Sequence, residues 1–146
     1  MLHEEKLYQI IDANLNRTRE GLRVCEDIAR FALQNKNAAR SLKEIRHGAT
    51  NLVLKSKNIS MVKLLAGRNT AGDRAKFADF VHKSGADIVD IFMSNIERVK
   101  ESLRVLEECF KIIDQKISRG YRKLRFDAYE IEQRIVKKAG LISSNR

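Results

Sequence analysis

The sequence predicts an all-α protein, an antiparallel helical bundle with an internal repeat of two helical hairpins. Apolar residues recur at three- and four-residue spacings along most of the 146-residue chain, which is the period of a helix with one buried face. The chain contains no proline, so long helices can run without interruption and glycines mark the breaks. No stretch alternates apolar and polar residues convincingly enough to predict a strand.

The first half of the chain is predicted to form two long helices. The first runs from Glu4 to about Leu33, along one continuous apolar stripe. Asparagines then mark a turn, and the second helix runs from Ala38 to about Leu54. Asn37 is the expected N-cap of this second helix, because its side chain can accept a hydrogen bond from the first helical turn.

The second half of the chain is predicted to contain two further long helices after a more broken stretch. The predicted segments are a brief helix at Ile59–Leu65, a loop at Ala66–Asp73, a short helix at Arg74–Lys83 stopped by Gly85, and long helices at Asp87–Ile113 and Lys116–Ala139, the last ending at Gly140. Residues 1–142 are therefore predicted to form one domain, followed by a frayed tail at 143–146.

Composition restricts the classes of protein to which the chain can belong. Apolar residues make up 43% and charged residues 33%, so the chain is a folded domain with a densely charged surface. We expect a cytoplasmic protein, since the sequence shows neither a secretory signal nor a membrane span. Cys25 and Cys109 fall on apolar stripes and are predicted to be reduced core thiols. The net charge of +10 favours a polyanionic partner, either nucleic acid, an anionic membrane or a phosphate ester.

The first and third long helices share a sequence motif. Asn14–Asp27 aligns without gaps on Asn95–Glu108, and the shared pattern is N-x-x-R-x-[RK]-E-[GS]-L-R-V-x-E-[DE]. A match that includes polar positions predicts two hairpins related by duplication and packed around a pseudo-two-fold axis.

The polar positions of this motif allow two interpretations. Three residues in each copy lie along one border of the apolar stripe: Asn14, Arg17 and Gly21, matched by Asn95, Arg98 and Ser102. They fit either a tight helix crossing with structural ion pairs or a ligand pocket. Glu20 and Glu101, each three residues before an arginine, fit either surface ion pairs or a cleft for a phosphate ligand and its magnesium.

The loop Gly67–Asp73 is the other concentration of polar chemistry. It lacks the spacing of a Walker A loop. Its glycines, Arg68 and Thr70 can still present backbone N–H groups, a guanidinium and a hydroxyl to a phosphate, and Asp73 can hold magnesium. The alternative is a turn capped by Thr70 or Asp73.

Several motifs in this order resemble those of a known family. They are I-I-D-A-N-L-N-R-x-R-E-G-L-R-V-x-E-D-x-A-R-F at Ile10–Phe31, L-K-x-x-R-H at Leu42–His47, R-x-T-A-G-D at Arg68–Asp73, the second copy of the repeat, and L-R-x-x-x-Y-E-x-E at Leu124–Glu132. The chain is similar to the all-helical alternative hydroxymethylpyrimidine phosphate kinase domain of thiamine biosynthesis, which is often fused in front of thiamine phosphate synthase. It departs from that family at Asn69, where an aspartate is expected.

The resemblance implies a kinase that uses ATP and Mg²⁺ to convert 4-amino-5-hydroxymethyl-2-methylpyrimidine phosphate into the diphosphate. We expect Arg17, Arg68 and Arg98, followed by Arg46, to contact phosphate, with Thr70 of the loop. Asp73, Glu20 and Glu101 are the expected ligands of magnesium or water. Asn14 and Asn95 are expected to bind the aminopyrimidine edge through their amides. Arg68, Asp73, Arg98 and Glu101 are the residues expected to take part in catalysis.

Other functions remain open at this stage. The chain could be a non-catalytic module that partners thiamine phosphate synthase, and Asn69 is the feature that favours this. A basic nucleic-acid-binding protein fits the net charge, but basic and acidic residues alternate along the helices, so we expect neither nucleic acid nor membrane as a partner. Synthase activity itself is not expected, because its (β/α)₈ barrel needs at least ~200 residues. A pocket between the repeats could lie within one chain or across a homodimer.

Overall fold

The computed structural model describes residues 2–69 and 87–140, and these residues form helices joined by short turns, without a strand. The helices are α1 at Leu2–Asp27, α2 at Lys36–Lys55, α3 at Met61–Ala66, α4 at Ile88–Ile113 and α5 at Gln115–Lys138. The predicted all-α class is confirmed. The helix predicted at Arg74–Lys83, its stop at Gly85 and the tail at 143–146 lie outside the described residues.

The four long helices form a closed ring of antiparallel neighbours. Helix α1 packs against α2 and α4, and α5 packs against the same two helices. Contacts between α1 and α4 join Thr18 to Ser102 and Cys25 to Phe92, so residue numbers rise along one helix as they fall along the other. The core contains both cysteines as free thiols. None of the helices in the described ranges is long and apolar enough to cross a membrane.

The first helix ends differently from the prediction. Its α-helical part stops at Asp27, and the chain continues as a π-helical turn at Ile28–Ala32. Gln34 then takes a left-handed backbone conformation with φ 50°, and the Asn35 N–H donates to the Ala29 carbonyl at 2.8 Å. This bond satisfies a carbonyl that the end of the helix would otherwise leave unpaired.

The N-cap of α2 differs from the predicted one. Asn35, and not Asn37, is the N-cap, because its side-chain oxygen accepts from the Ala38 N–H at 3.1 Å. Both residues are asparagine, and only the backbone conformation after Gln34 decides which one can cap the helix. The start of α4 agrees with the prediction, since Asp87 and Asp90 form a reciprocal capping box there.

The two helices that carry the repeated motif cross at small residues. A Cβ atom on Gly21 would stand 2.9 Å from Val99 Cγ2 and 3.1 Å from the Asn95 backbone oxygen. One turn earlier, the buried hydroxyls of Thr18 and Ser102 lie 2.6 Å apart. In the sequence alignment Thr18 is equivalent to Val99 and Gly21 to Ser102, so the contacts are reciprocal between the copies. Of the two interpretations of Gly21, the structure shows the tight crossing.

We predict that Gly21→Ala lowers the free energy of unfolding by about 1–3 kcal/mol, because the new methyl group meets a buried valine and a backbone oxygen that cannot both move away. The matched control is Gly48→Ala in α2, where the methyl group meets only the end of the Leu124 side chain at 3.2 Å. That variant should be as stable as the wild type or more so, because alanine favours helix by about 1 kcal/mol. Urea unfolding of both variants tests this, and a Gly21→Ala protein as stable as Gly48→Ala would contradict it.

Candidate functional site

One arginine in each hairpin is tied to a glutamate of the repeated motif. Arg46 of α2 binds Glu26 of α1 through two bonds, Nε to Oε2 at 2.5 Å and Nη2 to Oε1 at 3.0 Å. Arg125 of α5 donates to a single oxygen of Glu107 of α4, with Nε 3.3 Å and Nη2 3.1 Å from Oε1. Glu26 and Glu107 are equivalent in the repeat, and both are buried. Each pair therefore closes one hairpin.

This pairing bears on the expected role of Arg46. Its side chain is 15% exposed, and the hydrogen bonds that it donates to Glu26 raise the pKa of its guanidinium, with burial acting in the opposite direction. A phosphate at Arg46 would have to share the guanidinium with a buried carboxylate. The sequence analysis expected Arg46 to contact phosphate. Its pairing with a glutamate 20 residues away could not be read from local spacing.

Arg68 is fixed to the first helix. Its Nε and Nη2 atoms each lie 2.8 Å from one oxygen of Asp12, a two-pronged pair that raises the pKa of Arg68. Asp12 is buried, whereas the Arg68 side chain is 40% exposed. Arg68 is thus anchored on α1. Thr70 and Asp73, predicted to bind phosphate and magnesium, lie outside the described residues.

The two asparagines of the motif bond within their own helices. Asn14 donates to the Ile10 carbonyl and Asn95 to the Ile91 carbonyl, each at 2.8 Å. Arg17 lies beside Asn14, with Nη1 3.5 Å from its side-chain oxygen. Arg17, Glu20 and Arg98 are exposed. The crossing between the copies is filled by buried side chains.

The described residues form a polar cleft on the α4–α5 side of the bundle. It has a volume of about 350 Å³ and is lined by Glu97, Lys100, Glu101, Arg104, Arg125 and Tyr129. We call it the α4–α5 cleft. Glu101 is the one predicted site residue in this lining. Among the residues that the structure describes, no group of three or more histidine, cysteine, aspartate and glutamate side chains could hold a metal ion.

Lys100 is the most enclosed charged residue of the cleft. Its Nζ lies 2.9 and 3.1 Å from the two Glu132 oxygens, also binds Glu97, and sits 4.6 Å from the centre of the Tyr129 ring. Burial lowers the pKa of Lys100, but the bonds to Glu97 and Glu132 outweigh it and the net shift is upward. The lysine therefore stays charged and holds a carboxylate and an aromatic ring in place.

Sequence reasoning missed most of this cleft. Lys100 was visible as the lysine of the shared [RK] position, and Arg125 and Tyr129 stand four residues apart on one helix face. Neither signal shows that α5 brings its arginine and tyrosine against α4.

We predict that Arg46→Met and Arg125→Met each lower the free energy of unfolding by about 3 kcal/mol, because each leaves a buried glutamate without its partner. The control is Arg134→Met, whose pair with Glu130 is exposed and should contribute less than about 1 kcal/mol. The double variant Glu26→Met/Arg46→Met should recover much of the loss. Thermal unfolding followed by circular dichroism measures these differences, and an Arg46→Met protein no less stable than Arg134→Met would contradict the structural role.

Comparison with known proteins finds one matching family and several similar relatives. The ThiD2 family matches residues 9–134. A protein of Prochlorococcus marinus subsp. pastoris is 37% identical over 132 residues, and one of Nostoc punctiforme is 32% identical over 136. A protein of Rhodopirellula baltica is 31% identical over 140 residues. All three are called thiamine-phosphate synthase.

These matches cover 90%, 91% and 94% of this chain but only 36% of each relative. The chain thus spans about a third of the length of the relatives it matches. No solved structure is significantly similar to it. The family match covers most of the chain, including both copies of the repeat, and the relatives are named for a step of thiamine biosynthesis. The chain therefore belongs to the ThiD2 family, the all-helical domain of thiamine biosynthesis.

Proposed function

We propose that this chain is a cytoplasmic, ATP-dependent phosphotransferase that converts 4-amino-5-hydroxymethyl-2-methylpyrimidine phosphate into the diphosphate. An oxygen of the substrate's phosphate attacks the γ-phosphorus of ATP. A new P–O bond forms, the bond from the γ-phosphorus to the β,γ-bridging oxygen breaks, and ADP leaves with that oxygen. The attacking phosphate has a second pKa of about 6, so it is largely ionised at neutral pH and needs no strong general base.

The observation that supports the proposal is that this thiamine-biosynthesis domain has some arginines paired with buried glutamates and others exposed. Arg46 and Arg125 each pair with a buried glutamate, whereas Arg17 and Arg98 occupy equivalent exposed positions in the two copies of the motif. Arg68 is also partly exposed and is held in one orientation by Asp12. Phosphoryl transfer depends mainly on positioning and on cations that stabilise charge on the transferred group, and oriented arginines supply both.

Magnesium belongs to this proposal as the partner of ATP. Mg²⁺ in phosphoryl-transfer sites usually takes one or two carboxylates together with the substrate phosphates and water. Glu20 is an exposed carboxylate that could supply such a ligand. Asp73 keeps the same predicted role. The ion supplies a charge that draws electron density from the transferring phosphoryl group.

A second candidate is a non-catalytic module that binds thiamine phosphate synthase. The observation in its favour is that the relatives named as this synthase include a region equivalent to the present chain. Tight binding to a synthase, combined with no binding of ATP, would select this function. Nucleic acid is not proposed as a partner, because basic and acidic residues alternate along the helices, and this pattern weakens attraction to a phosphate backbone.

We predict that Arg68→Ala and Arg98→Ala lower kcat/KM at least about tenfold, an effect of ~1.4 kcal/mol on the barrier. Phosphorus NMR of protein, ATP, Mg²⁺ and the pyrimidine monophosphate should show ADP and a pyrimidine diphosphate that do not appear without protein. The matched control is Arg134→Ala, an exposed arginine of α5 paired only with its helical neighbour Glu130 in the described contacts.

Arg98 is the sharper of the two variants, since it is exposed and its loss leaves no buried charge. Arg68→Ala removes the partner of Asp12, so its activity must be referred to the fraction of protein that circular dichroism shows to be folded. Well-folded variants with wild-type kinetics would refute the roles of these arginines. Absence of turnover by the folded wild-type protein, with other divalent metals also tried, would refute the kinase itself.

A further inference from the structure

We propose that the acceptor, an amino-substituted pyrimidine carrying a phosphate, binds in the α4–α5 cleft of the second hairpin and not on the equivalent surface of the first. The inference rests on the proposed function for the identity of the ligand. It assigns one of the two repeated surfaces to that ligand, which neither the family match nor the motif does.

Binding of the pyrimidine ring first requires an aromatic surface, and the cleft provides one. Tyr129 lines the cleft and is 43% exposed. Lys100 lies against the Tyr129 ring, and Phe126 lies 6.2 Å away between ring centres. The tyrosine is therefore held in position while part of its surface remains accessible. A fixed, accessible ring is suited to stacking on a heteroaromatic base.

Acceptors for the amino group are the second requirement. Glu97 and Glu101 lie one turn apart on α4 and both line the cleft. Lys100 binds Glu97, which fixes one of these carboxylates. An ionised carboxylate only accepts hydrogen bonds, so it binds an exocyclic amine and rejects a carbonyl oxygen at the same place.

Cations for the phosphate are the third requirement. Arg104 and Arg125 line the same cleft. Arg125 is oriented by Glu107, with Nη2 3.1 Å from Oε1, and Arg104 by Glu108, with Nε 2.9 Å from Oε1. The Arg104 side chain is 58% exposed, so it retains donors for a ligand. Guanidinium groups held in this way suit phosphate, which accepts paired hydrogen bonds.

The first hairpin lacks one of these requirements and has only part of another. The repeat places Asn16, Arg19, Glu20 and Arg23 at the positions of Glu97, Lys100, Glu101 and Arg104. The shared glutamate–arginine pairs align Arg46 with Arg125, so Thr50 stands where Tyr129 stands. The equivalent surface thus has no aromatic ring and one carboxylate fewer. Of the two hairpins, the second alone combines an aromatic ring for stacking on the pyrimidine with two carboxylates for its amine.

The test is a titration of ¹⁵N-labelled protein with the pyrimidine monophosphate alone, followed by amide chemical shifts. We expect the shifts to concentrate in residues 97–104 and 125–129. Arg104→Gln and Tyr129→Thr, which gives the second hairpin the residue of the first, should each weaken binding about tenfold. Arg23→Gln, the repeat equivalent of Arg104→Gln, should leave binding unchanged. Uridine monophosphate, which carries a carbonyl oxygen in place of an amine, should bind at least about tenfold more weakly than cytidine monophosphate.

The outcomes separate the cleft from the kinase. Shifts centred on α1 and α2, loss of binding in Arg23→Gln but not in Arg104→Gln, or no binding by the folded protein at millimolar ligand would overturn the cleft assignment. Turnover with ATP that Arg23→Gln impairs and Arg104→Gln does not would also overturn it while upholding the kinase. Binding in the cleft without turnover would uphold the assignment and refute the kinase.

Discussion

The close approach of α1 and α4 at Gly21 is the constraint on which the rest of the bundle depends. With no side chain on Gly21, Val99 and the Asn95 carbonyl can lie directly against the helix backbone, and Thr18 and Ser102 meet in a buried hydrogen bond one turn away. A crossing this tight leaves no room for a ligand between the copies of the motif. The polar residues of each copy are thereby directed to the flanks of the helix pair, where α2 and α5 determine what each can bind.

Glutamates of the motif differ in role according to whether they are buried or exposed. Glu26 and Glu107 are buried and hold an arginine of the neighbouring helix, so they stabilise the hairpins. Glu20 and Glu101, six residues earlier in the same motif, are exposed and free to face solvent or a ligand. The motif therefore contains two interleaved sets of polar residues, one buried and one exposed. One set pairs with the neighbouring helix, whereas the other remains exposed. The flanking helices differ between the hairpins, since α2 has Thr50 where α5 has Tyr129.

The helices could be predicted from the sequence because the 3.6-residue period of buried side chains is local information. Asn35 could not be distinguished from Asn37 as the N-cap, since the choice follows from the left-handed conformation at Gln34. The π-helical turn after Asp27 left no signal in the periodicity. The candidate site was harder, because Arg46 and Lys100 take their roles from Glu26 and Glu132 on other helices. Pairings over such sequence separations depend on the packed fold and not on spacing.

The reciprocity of the α1–α4 contact has a consequence for how two copies can share one chain. An interface in which Thr18 meets the counterpart of Gly21, and Gly21 meets the counterpart of Thr18, has the isologous form that identical subunits adopt around a two-fold axis. Joining both copies covalently makes their association independent of protein concentration. In a dimer of identical subunits, any change on one outer surface also appears on the other. Two copies within one chain can change independently. A fused pair can keep a common interior and specialise one exterior.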